Sequence, residues 1–235
     1  MKRGRDQPDQ DLEQRLVNLI VRVGDKNVAS QLSSHLEGLA SALEGDLFHH
    51  RTLIIETILD CAQSLHTKSP VYGTLVGLLN LADGTLGREI VDGAQRELQR
   101  AFEDHAPNGI RGLVRFIAAM MNARVVTSAS AVELLELLLA AATEDGPSAR
   151  ADWFCVLAMD ALVLCGKELA AEAPSALESL VATLKAHAAS RKPLVEAAPL
   201  LLPFGAATRD GELVEHFDAL MKVCLLYTSP SPRDS

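Results

Sequence analysis

The sequence predicts an all-α fold, a HEAT-like helical-repeat solenoid of antiparallel helix pairs. Three observations predict it. Apolar residues recur at helical spacing through the middle of the chain: Leu113, Phe116, Ile117, Met120 and Met121 in one segment, and Phe154, Leu157, Ala158, Ala161, Leu162 and Cys165 in another. The apolar stock is Leu, Ala and Val: 48% of the 235 residues are hydrophobic but only 4% aromatic, which suits many packed helices with close crossings. Short polar breaks separate the periodic segments, and no run alternates with the period of two that a half-buried strand requires.

Taken in order, residues 1–11 read as a polar, disordered tail with a weak basic cluster, Lys2, Arg3 and Arg5, followed by Asp6, Asp9 and Asp11. The cluster is a candidate nuclear import signal, set against the plainer reading of a solvated terminus. The helical-repeat domain is expected over 12–222. Its first helix is 12–23, with Leu12, Leu16, Leu19, Ile20 and Val23 on one face and Gly24 as C-cap. A helix over 28–44 turns Leu32, Leu36, Leu39, Ala40 and Leu43 inward and ends at Gly45. Asp46 then caps a third helix running to Leu65. Pro70 opens a helix over 71–80, and Asp83 or Thr85 opens the next, through Phe102.

Asn108 precedes a helix over 109–122, and Ser128 or Ser130 caps one ending near Thr143. Pro147 begins the central helix, which carries Trp153 and finishes near Gly166. Another helix follows over 174–188. Pro193, Pro199 and Pro203 exclude a long regular helix over 192–211. A weaker last helix is expected over 210–220. No strict repeat is visible, so degenerate helical repeats fit better than consensus ones. After Lys222 the text changes to VCLLYTSPSPRDS, whose prolines forbid a helix. Residues 223–235 read as a non-native tail, with the natural protein continuing beyond as a longer chain.

The charge excludes some functions. The 22 Lys and Arg face 31 Asp and Glu, for a formal net charge of −9. Neutralising phosphates takes clustered Lys and Arg, so the chain is a poor direct binder of nucleic acid. Few aromatics also argue against stacking on exposed bases. Any action on RNA is expected through a partner.

The four cysteines, Cys61, Cys155, Cys165 and Cys224, are widely spaced with no CxxC, which argues against a zinc site and for a reducing compartment. No secretory signal or membrane span is read; the greasiest run, 129–142, is interrupted by Glu133 and Glu136.

Chemistry-bearing constellations are weak. Nucleophile elbow, P-loop and HExxH patterns are lacking, and LADGTLGREI has two glycines at the wrong spacing for a phosphate loop. Glu133 and Glu136 fall on VELLELLL and read as the wet edge of a helix. His49 and His50 are adjacent without metal-ligand register, and the other five histidines stand alone. Trp153 and Phe154 lie in a helix apolar nearly all round, so they read as core. Arg115 sits amid Leu113, Val114, Phe116 and Ile117, and a part-buried Arg must be paired. Asp152 or Glu133 is the expected partner, Arg115 with Asp152 being the favoured structural ion pair. No catalytic, cofactor, metal or cap-binding residue is assigned, and the chain is not read as an enzyme.

Four segments carry a family resemblance: HLEGLASALEGDL from His35, VYGTLVGLLN from Val71, LVRFIAAMMNARVV from Leu113 and RADWFCVLAMDALVLCGKEL from Arg150. In order and spacing they are similar to the N-terminal domain of the large subunit of the nuclear cap-binding complex, over about 12–184. TLVGLLN and the DW…GKEL pair are the most specific parts. The resemblance implies a helical stack of the kind found in the middle domain of translation-initiation factor 4G, the first of three in the family. It also implies a nuclear scaffold that shuttles to the cytoplasm.

Its partner would be a small RNA-recognition-motif subunit that stacks the 7-methylguanosine cap and rests mainly on later domains absent here. Capped RNA would be met indirectly, and mRNA processing, export and decay factors would dock on the scaffold. The alternative reading is another helical-repeat adaptor, such as an initiation-factor middle domain binding a helicase.

Overall fold

The computed structural model describes residues 6–25, 29–145, 148–190 and 220–223. As predicted, these are all-α: helices and one 3-10 turn, with no strand among the described residues. The helices are α1 (Asp6–Arg22), α2 (Ala29–Ser64), α3 (Ser69–Ala82), α4 (Gly84–Glu103), α5 (Pro107–Asn122), α6 (Ser128–Ala142), α7 (Ser148–Glu172) and α8 (Pro174–Ser190), with the 3-10 turn His66–Lys68 before α3. They fall into two compact units, Met1–Val125 and Val126–Ser235.

In the first unit, α1 lies on α2, and α2 also packs on α3, α4 and α5. α3 and α5 share the most extensive contact, and α4 covers both. That contact is close because its residues are small. A Cβ added at Gly73 would lie 2.7 Å from the Ala119 Cβ and 2.8 Å from the Ala119 carbonyl carbon. One turn further, a Cβ at Gly77 would lie 2.8 Å from the Ala123 Cβ. The pair recurs every four residues on both helices, so it forms one ridge meeting one groove. Around this seam Tyr72, Leu75, Val76, Leu79, Leu113 and Phe116 are fully buried. Burial of such side chains is the main favourable term, worth about 1.5–3 kcal/mol each.

In the second unit, α7 packs on α6 and α8, and α6 also meets α8. α7 buries Phe154 to Met159, Ala161, Leu162, Cys165 and Leu169, which explains why it reads as apolar all round. Cys61, Cys155 and Cys165 are buried.

Several boundaries differ from expectation. α1 begins at Asp6, inside the segment read as a tail. α2 runs through Gly45 and Asp46, where two helices were expected, and its break lies at His50 instead (φ −121°, ψ 21°). A glycine inside a helix costs only about 1 kcal/mol. The buried row Leu36, Leu39, Ala40, Leu43, Leu47 and then Ile54, Ile58 outweighs it.

Asp83 does cap α4, its carboxylate accepting from the Thr85 N–H at 2.9 Å. α6 is capped by Thr127 rather than Ser128 or Ser130: its hydroxyl accepts from the Ser130 N–H at 3.2 Å. α7 passes through Gly166 to Glu172. α1 buries Leu16 and Ile20, with Val23 buried just past its end, but Leu19 is half exposed. Residues 220–223 are helical, with Leu220 and Met221 buried. The remainder of that predicted helix, and the tail 224–235, lie outside the described residues.

Candidate functional site

The most organised polar site of the first unit centres on Arg51, one residue beyond the bend in α2. The one-residue turn at Asp83 brings the start of α4 against it. Arg51 Nη1 donates to Asp83 Oδ2 at 2.6 Å and Nη2 donates to the Thr85 hydroxyl at 2.8 Å. Nε donates to both carboxylate oxygens of Glu89, at 3.2 and 3.0 Å, and Nη2 reaches Glu89 Oε1 at 2.9 Å. The planar guanidinium thus spans three residues of a helix start, a geometry that a lysine could not reproduce.

Asp83 holds its own side of the network: Oδ1 accepts from the Thr85 hydroxyl at 2.6 Å as well as from the Thr85 N–H. The Thr85 hydroxyl bond and the Arg51 bond, with the Thr85 N–H, hold the Asp83 carboxyl below the usual carboxylate range. The bonds to Glu89 and Asp83 in turn push the Arg51 guanidinium still higher, so it is always charged.

This network walls a groove of about 560 Å³ between α2 and the α3–α4 turn. Its other lining includes Glu44, Leu47, Phe48 and Ala82. Phe48 is 90% exposed, and Leu81, next to Ala82, is 84% exposed. A second groove, about 760 Å³, runs along α1 and α2 and is lined by Arg15, Leu19, Arg22, His35 and Leu39.

A buried hydroxyl ties α3 to α1. Tyr72 Oη lies 3.4 Å from the carbonyls of Ile20 and Val21, and Lys68 Nζ donates to Val21 O at 3.1 Å and pairs with Asp25. Burial pushes the Tyr72 phenol up, with its hydrogen bond to Cys61 adding to this. Burial likewise pushes the Cys61 thiol up. A thiol held neutral in a core is inert, so Cys61 is structural.

The residues singled out from the sequence each belong to one of the two units. Arg115 is half-buried in the first unit, where Nε donates to His66 O at 3.2 Å. Asp152 belongs to the second unit; it is 2% exposed, and its Oδ1 lies 2.7 Å from His187 Nε2. Sequence reasoning left His187 standing alone, without this contact to Asp152. Lys2, Arg3 and Arg5 lie outside the described residues. Phe154 is buried while Trp153 is half-buried, their rings edge-on at 4.9 Å. Arg150 lies 5.0 Å above the Phe154 ring, with Nη1 donating to Ala141 O at 2.9 Å and Nη2 to Glu144 at 2.7 Å. It therefore ties the start of α7 to the end of α6.

The Arg51 network went unread because its partners lie 32, 34 and 38 residues away. Only the Asp83-x-Thr85 cap gave a local signal. Among the described residues, no group of three or more His, Cys, Asp or Glu could hold a metal ion. No described helix is long and apolar enough to cross a membrane. What the arrangement offers in the first unit is a packed helical surface with grooves.

The MIF4G domain pattern matches residues 13–229 of the chain. Over 185 residues, 78% of this chain, the sequence is 35% identical to nuclear cap-binding protein subunit 1 of Anopheles gambiae. The same figures hold against nuclear cap-binding protein subunit 1 of Aedes aegypti. The matched part spans 23% of the length of each relative.

Proposed function

The chain belongs to the MIF4G-domain family, and from that premise we propose that it is the first helical-repeat domain, over 12–222, of a scaffold subunit of the nuclear cap-binding complex. The observation that carries this reading is the 35% identity over 185 residues to nuclear cap-binding protein subunit 1 of two species. The surface agrees with it. The chain is acidic and poor in aromatics, so a cap or RNA strand is bound by another subunit, the small RNA-recognition-motif protein that stacks 7-methylguanosine.

The scaffold contributes shape. A packed helical surface holds a partner in its ligand-ready form, and the free energy it supplies is preorganisation. The same surface docks factors for mRNA processing, export and decay. This role needs no catalytic group, and the chain acts as a non-enzymatic protein. Its place is the nucleus, with shuttling to the cytoplasm, and Lys2, Arg3 and Arg5 belong to the import signal.

Two experiments test this. The protein is expressed from its genomic locus together with the small subunit and passed over capped and uncapped RNA. Joint retention on capped RNA alone is expected; failure to bind the small subunit would leave a generic helical adaptor. Separately, changing Lys2, Arg3 and Arg5 to Ala in a fluorescent fusion should reduce nuclear accumulation. Unchanged accumulation removes the import role.

A further inference from the structure

We propose that the groove between α2 and the α3–α4 turn docks an arginine-rich, extended peptide segment of a partner protein, with an arginine stacked on Phe48. The inference deepens the docking role and rests on it for the existence of a partner.

Phe48 is the starting point. It is 90% exposed in a chain with six phenylalanines and one tryptophan, more exposed than any other large apolar side chain among the described residues. Its one recorded ring contact is with its neighbour His49, edge-on at 4.9 Å. An aromatic face left in water gains nothing for folding, but it is a platform for a planar cation. Leu81 adds a second exposed apolar group beside the groove wall.

The charge around that platform selects the occupant. Glu44, Asp83 and Glu89 line the groove against one cation, Arg51, which leaves two negative charges in excess. Glu44 stands four residues before Phe48 on the same helix, so the two side chains share a face. A guanidinium stacked on the Phe48 ring therefore lies within reach of the Glu44 carboxylate. Arg51 leaves room for this: its donors go to Asp83, Thr85 and Glu89, and Glu44 receives none of them. Arg51 also fixes the wall, because its bonds tie α2 to the start of α4. The groove of about 560 Å³ is sized for a side chain and short backbone stretch. An acidic peptide or an RNA strand would meet the same excess carboxylates as repulsion.

The test uses the full chain and a fluorescein-labelled peptide of about sixteen residues of alternating Arg and Gly, read by polarisation. A Glu–Gly peptide of equal length and a single-stranded RNA are the comparison probes. The Arg–Gly peptide is expected to bind and to weaken with added salt. Phe48→Ala and Glu44→Gln are each expected to weaken binding by about tenfold. Both positions are exposed, and circular dichroism checks that the helices are retained.

No binding of the Arg–Gly peptide overturns the proposal. So does equal binding of the Glu–Gly peptide, or binding that neither substitution alters. Phe48-dependent binding of the RNA, or a dimer that Phe48→Ala dissociates while the peptide stays unbound, assigns the groove to another occupant and overturns it too. The assay contains neither capped RNA nor the small subunit, so its failure is distinct from failure of the cap-binding reading.

Discussion

Glycine means opposite things in two regions of the first unit. Along the seam of α3 and α5, Gly73 and Gly77 stand where an added Cβ would strike Ala119 or Ala123 within 2.8 Å. Gly112, on α5, is tighter still, with Ala62 O at 2.5 Å from such an atom. In the first half of α2, Gly38 and Gly45 have nothing within 4 Å of the same position. The seam is where the fold is specified, and its glycines exist for close approach. The α2 half carries the exposed Phe48, and its glycines leave the surface open. The proposed docking role needs both: a region that cannot give, and a face left uncovered.

Gly73→Ala is the strongest way to break this contrast. The new methyl meets backbone as well as side chain, so the helices must part, and overpacking of this kind costs about 1–3 kcal/mol. Alanine recovers about 1 kcal/mol of helix propensity, so the net loss is up to about 2 kcal/mol. Amide hydrogen exchange in α3 and α5 should speed up accordingly. Unchanged protection would mean that the seam is loose and the contrast false.

Gly38→Ala is the same substitution with the opposite sign. With open space around it and an ordinary helical backbone, alanine should stabilise by about 0.5–1 kcal/mol, seen as slower exchange in α2. A loss would show that something covers that face.

These two predictions also mark what the sequence could tell. The helices α4, α5, α6 and α8 were legible from their apolar spacing, with Asp83 read as the α4 cap, whereas α5 starts at Pro107 rather than after Asn108 and α6 is capped by Thr127. α2 was misread at Gly45–Asp46 because a glycine looks the same whether a helix stops or passes through. Only the buried row on its other face decides, and burial is tertiary. The segment VYGTLVGLLN was noticed for its resemblance, yet the role of Gly73 and Gly77 depends on Ala119 and Ala123, far along the chain. The Arg51 site and the His187–Asp152 pair escaped for the same reason: their partners are distant in sequence. Arg115 read as half-buried from its neighbours alone, and one of its acceptors is a backbone carbonyl, His66 O, which no sequence pattern marks.

His105 sharpens the comparison from the other side. It follows α4 with φ 53°, in the left-handed region, where its Ala106 neighbour donates back to Ala101 O at 2.9 Å. Here glycine would fit better than the residue present. His105→Gly should stabilise by about 0.5 kcal/mol, the relief of backbone strain being partly offset by loss of the ring's 2.9 Å contact with Glu103 O. Arg124, at φ 61°, ends α5 in the same way. A destabilised His105→Gly chain would mean that the histidine ring, and not the backbone, closes that helix end.

The smallest effect expected is electrostatic and belongs to the wall of the open groove. Asp83 holds its proton more weakly folded than unfolded, through the Thr85 hydroxyl, Arg51 and the Thr85 N–H. A group whose folded pKa is depressed stabilises when ionised, so its contribution is complete above the ordinary aspartate value of about 4. It is lost progressively as pH falls below that value toward the folded one. Because the carboxylate is open to solvent, salt should shrink the effect. Exchange at the start of α4 should therefore lose protection between neutral and acid pH, after correction for intrinsic rates. Asp83→Asn should flatten that dependence, since the amide does not titrate. The seam around Gly73, built from apolar groups, should keep its protection over the same range until the unit as a whole unfolds. If instead both regions loosen together at the first acid step, the Arg51 network is part of the core, and the wall it forms is not an independent surface.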